Sequence, residues 1–157
     1  MASSPSASSE PQSISGCTCF KLRRLTRRVT AVYDRALAAA GIRVTQYSVL
    51  SHVRRLKGTS ISELADALDM DRTTLTRNLK PLLDAGWVEI RPSADDARVR
   101  TVYITPSGES QFQIARTYWR RAQADVTATI GSGEIASLHE LLDRYVPLFR
   151  PADGENE

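Results

Sequence analysis

Between Asp71 and Gly86, Leu75, Leu79 and Leu82 recur at helical steps, while Arg72, Thr73, Thr76, Arg77 and Lys80 take other positions of the same stretch. Three- and four-residue steps draw one apolar stripe on an α-helix and leave a polar face opposite. The flanks narrow what this helix can belong to. Upstream, Ser60-Ile61-Ser62-Glu63 fits a capping box opening a short helix with Ile61, Leu64, Ala65 and Leu68 inward. Asp69-Met70-Asp71 then leaves only a tight connector, with Asp71 as the next cap. Downstream, Trp87 to Arg91 and Val99 to Ile104 are rich in β-branched and aromatic residues and read as two strands. Pro92 to Ala97 between them reads as a hairpin tip. Short helix, tight turn, helix and hairpin follow in the order of a winged helix-turn-helix.

More helix lies on both sides of this module. Leu22, Leu25, Val29, Val32, Ala36 and Ala40 form one stripe, ended by Gly41 in a left-handed cap with Ile42 packing back. Thr45 is expected to cap a second helix with Val49, Leu50, Val53 and Leu56 inward, ended by Gly58. Thr105-Pro106 opens a long helix to about Ile130, with proline at the first helical position. Past Gly131-Ser132-Gly133, a last helix from Glu134 to Phe149 carries Ile135, Leu138, Leu141, Leu142, Tyr145 and Val146 on its inner side. The terminal helices are too apolar on one side for the small module alone to cover. Packing against each other and a second copy of the chain is the simplest way to bury them. The expected architecture is mainly α with a small β wing. Residues 17–43 and 106–149 form a dimerisation region, and residues 44–105 the winged module. Residues 1–16, serine-rich and poor in bulky apolar groups, are expected to be a disordered tail, and residues 150–157 a flexible one.

Composition excludes several classes. With 41% apolar and 25% charged residues, the chain of 157 residues reads as a globular protein, neither disordered nor membrane-spanning. Its start lacks the cationic and apolar regions of a secretory signal, so the cytoplasm is the expected setting, with Cys17 and Cys19 reduced at rest. A net charge of +3 permits nucleic acid as a partner without requiring it. Enzyme chemistry fits poorly. The histidines are only His52 and His139, and there is no glycine-rich phosphate loop, nucleophile elbow or HExxH. Asp95-Asp96 has no third metal ligand in sequence, and no cofactor is expected.

The polar face of the Arg72 helix suits a major groove. Arginine bonds guanine O6 and N7 in bidentate fashion, threonine meets base edges or a thymine methyl, and lysine reaches phosphate. The same face would serve as the solvated side of an ordinary amphipathic helix; the preceding turn and following hairpin favour the groove. Pro81 removes the bond to the carbonyl of Arg77 and is expected to bend the second half of the helix. In the tip, Asp96-Ala97-Arg98 offers an arginine for a minor groove, with an acid to orient it; otherwise it is a surface ion pair.

Five segments together resemble the MarR family of bacterial transcriptional regulators: Leu64–Leu68, Arg72–Leu79, Leu82–Val88, Asp96–Arg98 and Ile104–Gly108. Thr45 to Leu50 is similar to the family's second helix, and the likeness spans about residues 20–149. The resemblance implies a homodimer on double-stranded DNA, joined through its terminal helices. It implies a fourth helix in the major groove of a pseudo-palindromic site, and a wing arginine, Arg98 oriented by Asp96, in the minor groove. It also implies a repressor: many such proteins release DNA when a small phenolic or other aromatic acid binds between the dimer and DNA-binding regions, and others sense oxidants through cysteine. A winged module that grips another protein is the more distant alternative.

Two sets of residues are candidates for the trigger. For an aromatic acid, Arg24 and Arg28, within the cluster Arg23, Arg24, Arg27 and Arg28, supply positive charge. Tyr33, Tyr47, His52, Tyr118 and Trp119 supply walls and a polar handle, although each tyrosine equally fits the core or an interface. For redox sensing, Cys17 and Cys19 sit at a helix start near Lys21, Arg23 and Arg24, a setting that favours thiolate chemistry. A disulfide between them would be strained. A soft-metal site would need further ligands such as His52, His139 or a partner chain. The plain alternative makes both cysteines small packing residues at the dimer interface.

Overall fold

Local capping signals set most element ends. The computed structural model describes residues 16–93 and 98–149; the expected tails over 1–15 and 150–157, and Asp96 with its neighbours in the hairpin tip, lie outside the described residues. In chain order the elements are α1 (Thr18–Leu37), a 3-10 turn (Ala38–Ala40), α2 (Val44–Leu56), β1 (Thr59–Ser60), α3 (Ile61–Ala67) and α4 (Arg72–Asp84). Then come β2 (Val88–Pro92), β3 (Arg100–Ile104), α5 (Pro106–Ile130), α6 (Ser132–Tyr145) and a final 3-10 turn (Val146–Phe149). The result is mainly helical, with a small antiparallel sheet in the order β1-β3-β2.

The caps follow the residues that signal them. Ser60 Oγ accepts from the Glu63 N–H, while the Glu63 carboxylate accepts from the Ser60 N–H. Asp71 caps α4 through the Thr74 N–H, and Thr105 caps α5 through the Gly108 N–H, with Pro106 at the first helical position. Gly41 (φ +66°) and Gly86 (φ +68°) both close Schellman motifs. In the first, the N–H groups of Gly41 and Ile42 donate to Ala38 and Leu37; in the second, those of Gly86 and Trp87 donate to Leu83 and Leu82.

Several boundaries differ from expectation for identifiable reasons. Helix α2 begins at Val44, before the expected cap Thr45, because the Val44 N–H donates to Asp34 Oδ1 and the Arg43 N–H to Gln46 Oε1. Its C-cap is Lys57, in a left-handed conformation, one residue before Gly58. Strand β2 starts at Val88 rather than Trp87, since the Trp87 N–H closes the α4 cap. Strand β3 starts at Arg100 rather than Val99, and runs antiparallel to β2, with Val88 opposite Ile104 and Pro92 opposite Arg100. The two-residue strand β1, with no sequence signal of its own, joins through Thr59 opposite Val102. Helix α4 continues through Pro81 to Asp84, with Leu82 fully buried beyond it.

The core gathers Leu37, Val49, Leu50, Val53, Leu64, Leu75, Leu79, Leu82 and Val102, none more than 2% exposed. Two expected stripes find no such cover among the described residues. Leu22 and Leu25 of α1, and Leu141, Leu142, Tyr145 and Val146 at the end of the chain, are all exposed, although Ile135 and Leu138 are half-buried. Leu56 also faces out, because α2 ends beyond its last packed turn.

The junction between β2, β3 and α5 is tight. Thr105 N–H donates to the Trp87 carbonyl, and the hydroxyls of Thr105 and Ser107 both donate to the Gly86 carbonyl. Gly108 lies against this strand end, where a Cβ would collide with the Trp87 carbonyl oxygen. Alanine for glycine inside a helix ordinarily stabilises. Here Gly108→Ala is expected to cost about 1–3 kcal/mol in urea unfolding, because the added methyl is overpacked. Unchanged or increased stability would mean the strand end yields freely.

Candidate nucleic-acid interface and ligand cleft

Helix α4 presents its expected polar face. Leu75, Leu79 and Leu82 are buried, and Arg72, Thr73, Thr76, Arg77 and Lys80 are all exposed. The five are not equivalent. Arg72 Nη2 donates to Ser62 Oγ at 2.7 Å, bracing the start of α4 against α3. Lys80 Nζ pairs with Asp84 at 2.9 Å, one turn along the helix. Thr76 donates its hydroxyl to the Arg72 carbonyl, which leaves its methyl and an oxygen lone pair outward. Thr73 and Arg77 make no side-chain bond among the described residues, so the Arg77 guanidinium keeps its donors for another molecule. Arg98 is exposed at the β3 end of the hairpin tip, beside the Ser93 N–H to Val99 carbonyl bond. The proposed orienter Asp96 lies outside the described residues.

A cleft of about 400 Å³ opens between α2 and α5, lined by Tyr47, Ser48, Ser51, His52, Arg54, Phe112, Arg116 and Trp119. Its wall is an aromatic stack. Tyr47 lies parallel to Phe112, with centroids 5.5 Å apart, and its other neighbour is Trp119 at 5.8 Å. The Arg54 guanidinium sits 4.8 Å from the Phe112 centroid. His52 Nδ1 lies 2.8 Å from the Ser48 carbonyl, an acceptor only, so Nδ1 carries the proton and Nε2 is left for other contacts. Burial pushes the Tyr47 phenol up from its ordinary range, opposed by the positive charge of Arg116, Arg120 and Arg54. The lining holds two arginines and no carboxylate.

Sequence reading placed only part of this cleft. Tyr47, His52 and Trp119 line it; Arg24, Arg28, Tyr33 and Tyr118 do not. Arg24 and Arg28 lie on the exposed amino-terminal half of α1. Tyr33 donates its hydroxyl to Gln123 at 2.6 Å and stands behind Trp119, while Tyr118 packs against the core. Arg54 and Arg116 supply the charge instead. Their spacing from the aromatic residues along α2 and α5 was readable, but which faces of the two helices meet was not.

Cys17 and Cys19 are both exposed thiols at the start of α1. In the single chain they are therefore not packing residues. Among the described residues, no group of three or more His, Cys, Asp and Glu side chains is placed to hold a metal ion, so the soft-metal reading gains no ligand set.

The model of the MarR family matches residues 40–99, from the 3-10 turn after α1 into the hairpin. The multiple antibiotic resistance protein MarR of Salmonella typhimurium is 32% identical over 133 residues, spanning 80% of this chain and 91% of that protein. The chain belongs to the MarR family. Solved structures agree. MarR from E. coli complexed with operator DNA superposes with a TM-score of 0.75 at 25% identity, covering 81% of this chain and 91% of that one. The M. tuberculosis transcriptional regulator MOSR in complex with DNA gives 0.66 at 37% identity, covering 82% and 97%. This MarR-family chain is a winged-helix DNA-binding transcription regulator, and its relatives are regulators rather than enzymes. Among the described residues, no helix is long and apolar enough to cross a membrane.

Three carboxylates around the module carry depressed pKa values. The Ser60 and Asp71 caps hold Glu63 and Asp71 low through hydrogen bonds from Ser60 and Thr74, and Arg54 followed by Gln113 holds Glu109 low. Their contribution is complete above the unfolded carboxylate range, near pH 4, and is lost as pH falls through the folded values. Thermal unfolding followed from pH 6 to pH 3 is therefore expected to show falling stability, with a shallower fall in Glu63→Gln. An identical profile in that variant would remove the cap from the account.

Proposed function

We propose that this regulator binds a pseudo-palindromic operator as a homodimer and acts as a repressor in the cytoplasm. Arg77, Thr73 and Thr76 read base edges in the major groove, Arg72 and Lys80 take phosphates, and Arg98, oriented by Asp96, enters the minor groove. The observation that carries this reading is the outer face of α4: five exposed donor-bearing side chains, with Arg77 holding no partner among the described residues. Dimerisation is supported by the uncovered apolar groups at both ends of the chain, with Leu148 and Phe149 71% and 84% exposed. A second copy placing those faces together sets the two α4 helices about one helical turn of DNA apart.

The effector reading follows from the α2–α5 cleft. Aromatic walls, two arginines and no acid suit a small aromatic carboxylate, its ring against Tyr47, Phe112 or Trp119 and its charge toward Arg116. Helix α2 packs on α4, and α5 leads to the dimer region. A ligand wedged between α2 and α5 shifts the two reading heads relative to one another and loosens the operator. A thiol trigger is the second reading, favoured by the exposure of both Cys17 and Cys19.

Binding to operator duplexes carrying single base-pair changes tests the reading face. Arg77→Ala is expected to weaken binding by about 1–3 kcal/mol and to relax preference at one position. Arg98→Ala should weaken all sequences alike. If both variants bind like the parent, α4 and the wing are not the reading elements. Release by benzoate should be lost in Arg116→Gln with DNA affinity retained. Release by peroxide that persists in Cys17→Ser with Cys19→Ser would remove the thiol trigger.

A further inference from the structure

A second concavity, about 490 Å³, lies where the end of α2, β3 and the first turn of α5 meet. Arg54, Arg55, Lys57, Tyr103, Ile104 and Glu109 line it. The single acid is already committed. Both Glu109 oxygens accept from Nε of Arg54 at 2.8 Å, and Oε1 also accepts from Gln113. Arg54 is balanced by that pair and keeps its terminal amino groups. Arg55 and Lys57 have no partner among the described residues, nor does the Tyr103 hydroxyl. The lining therefore holds two uncompensated positive charges beside a phenol and a third guanidinium.

The backbone shapes this cleft. Lys57 adopts the left-handed conformation (φ +54°), unfavourable for a residue with a Cβ, and Gly58 follows at φ +112°. A Cβ on Gly58 would approach Tyr103 Cε1 to 2.5 Å, so the glycine is what allows the ring to lie against the end of α2 and wall the cleft. The Arg91 guanidinium, itself paired with Glu89, lies 5.7 Å from the centroid of the same ring. Basic residues in the last turn of a helix complement its dipole, which accounts for the signs of Arg54 and Arg55. The left-handed Lys57 is the C-cap of the same helix, and it lines the cleft together with Tyr103.

We propose that this cleft binds a small organic phosphate. A phosphomonoester is close to a dianion at neutral pH and matches the two unbalanced charges, whereas a monocarboxylate leaves one uncovered. The phosphate sits between Arg55, Lys57 and the terminal amino groups of Arg54, and the organic group lies toward Tyr103 and Ile104. The volume exceeds what inorganic phosphate fills and leaves room for a ring. Arg55 and Lys57 do not line the aromatic cleft, so this site is tested apart from the effector reading.

Phenyl phosphate, titrated calorimetrically into the full chain with benzoate as the comparison, is the probe. One site per chain is expected, with affinity in the range of about 1 mM or tighter. Arg55→Gln should weaken it roughly tenfold, without changing benzoate binding. Lys57→Gly should weaken it similarly while keeping or raising the unfolding temperature, because glycine relieves the left-handed backbone. Tyr103→Leu should weaken phenyl phosphate more than inorganic phosphate. No saturable binding, or binding untouched by Arg55→Gln and Lys57→Gly, overturns the proposal. It also fails if those two changes leave phenyl phosphate binding intact and instead reduce the salt slope of DNA binding by about one each, which would assign the cations to the duplex backbone.

Discussion

The buried face of α2 is the constraint on which the rest of this molecule depends. Val49, Leu50 and Val53 are completely inaccessible and Tyr47 nearly so. Around them α2 touches α1, α3, α4, α5 and β3. Burying such side chains stabilises by roughly 1.5–3 kcal/mol each, so a large share of the domain's cohesion passes through one helix. The consequence is positional. Helix α4, strand β3 and the long helix α5 all take their places from the same element. Tyr47 links the core to the α2–α5 cleft, because the ring that closes the core also stacks on Phe112 and Trp119 in the cleft wall.

Electrostatics divides the surface into parts with different tasks. The exposed face of α4 mixes anchored and unanchored donors. Arg72 is tied to Ser62 and Lys80 to Asp84, which fixes the ends of the face, while Arg77 between them keeps its donors unbonded among the described residues. A fork of donors fixed in plane but mobile on its stem suits bidentate recognition. At the other end of α2, Arg54 is shared by both concavities. It stacks on Phe112 beside the aromatic cleft and is held by Glu109 beside the cationic one. One arginine thus contributes to two anion-attracting walls without being left uncompensated.

What was legible in the sequence was local. Ser60 with Glu63, Asp71 with Thr74, and Thr105 with Pro106 each signal a helix start within three residues, and each forms as signalled. The leucine stripe of α4 and its polar face were readable for the same reason. Features set by distant residues were not. The start of α2 is moved by Asp34, ten residues away, and β1 exists only because Thr59 and Ser60 find β3. The α2–α5 cleft was half visible: Tyr47, His52 and Trp119 carry the pattern and do line one cavity, but Arg54 and Arg116 emerge only once α2 and α5 are brought face to face. Arg24 and Arg28 attracted notice by density alone, and density does not say which way a helix points. The apolar residues of α1 and α6 do fall on helices, but among the described residues nothing covers Leu22 or Leu142.

If the outer face of α4 reads base sequence, as proposed, the full protein must prefer a cognate duplex. Fluorescence anisotropy decides this, with the full protein titrated onto DNA upstream of its own gene and onto a scrambled duplex of equal length, at physiological salt under reducing conditions. A preference of about a thousandfold or more for the upstream duplex is expected. Equal affinity for the two, falling with salt in parallel, would mean that the helix meets phosphates alone and does not read sequence.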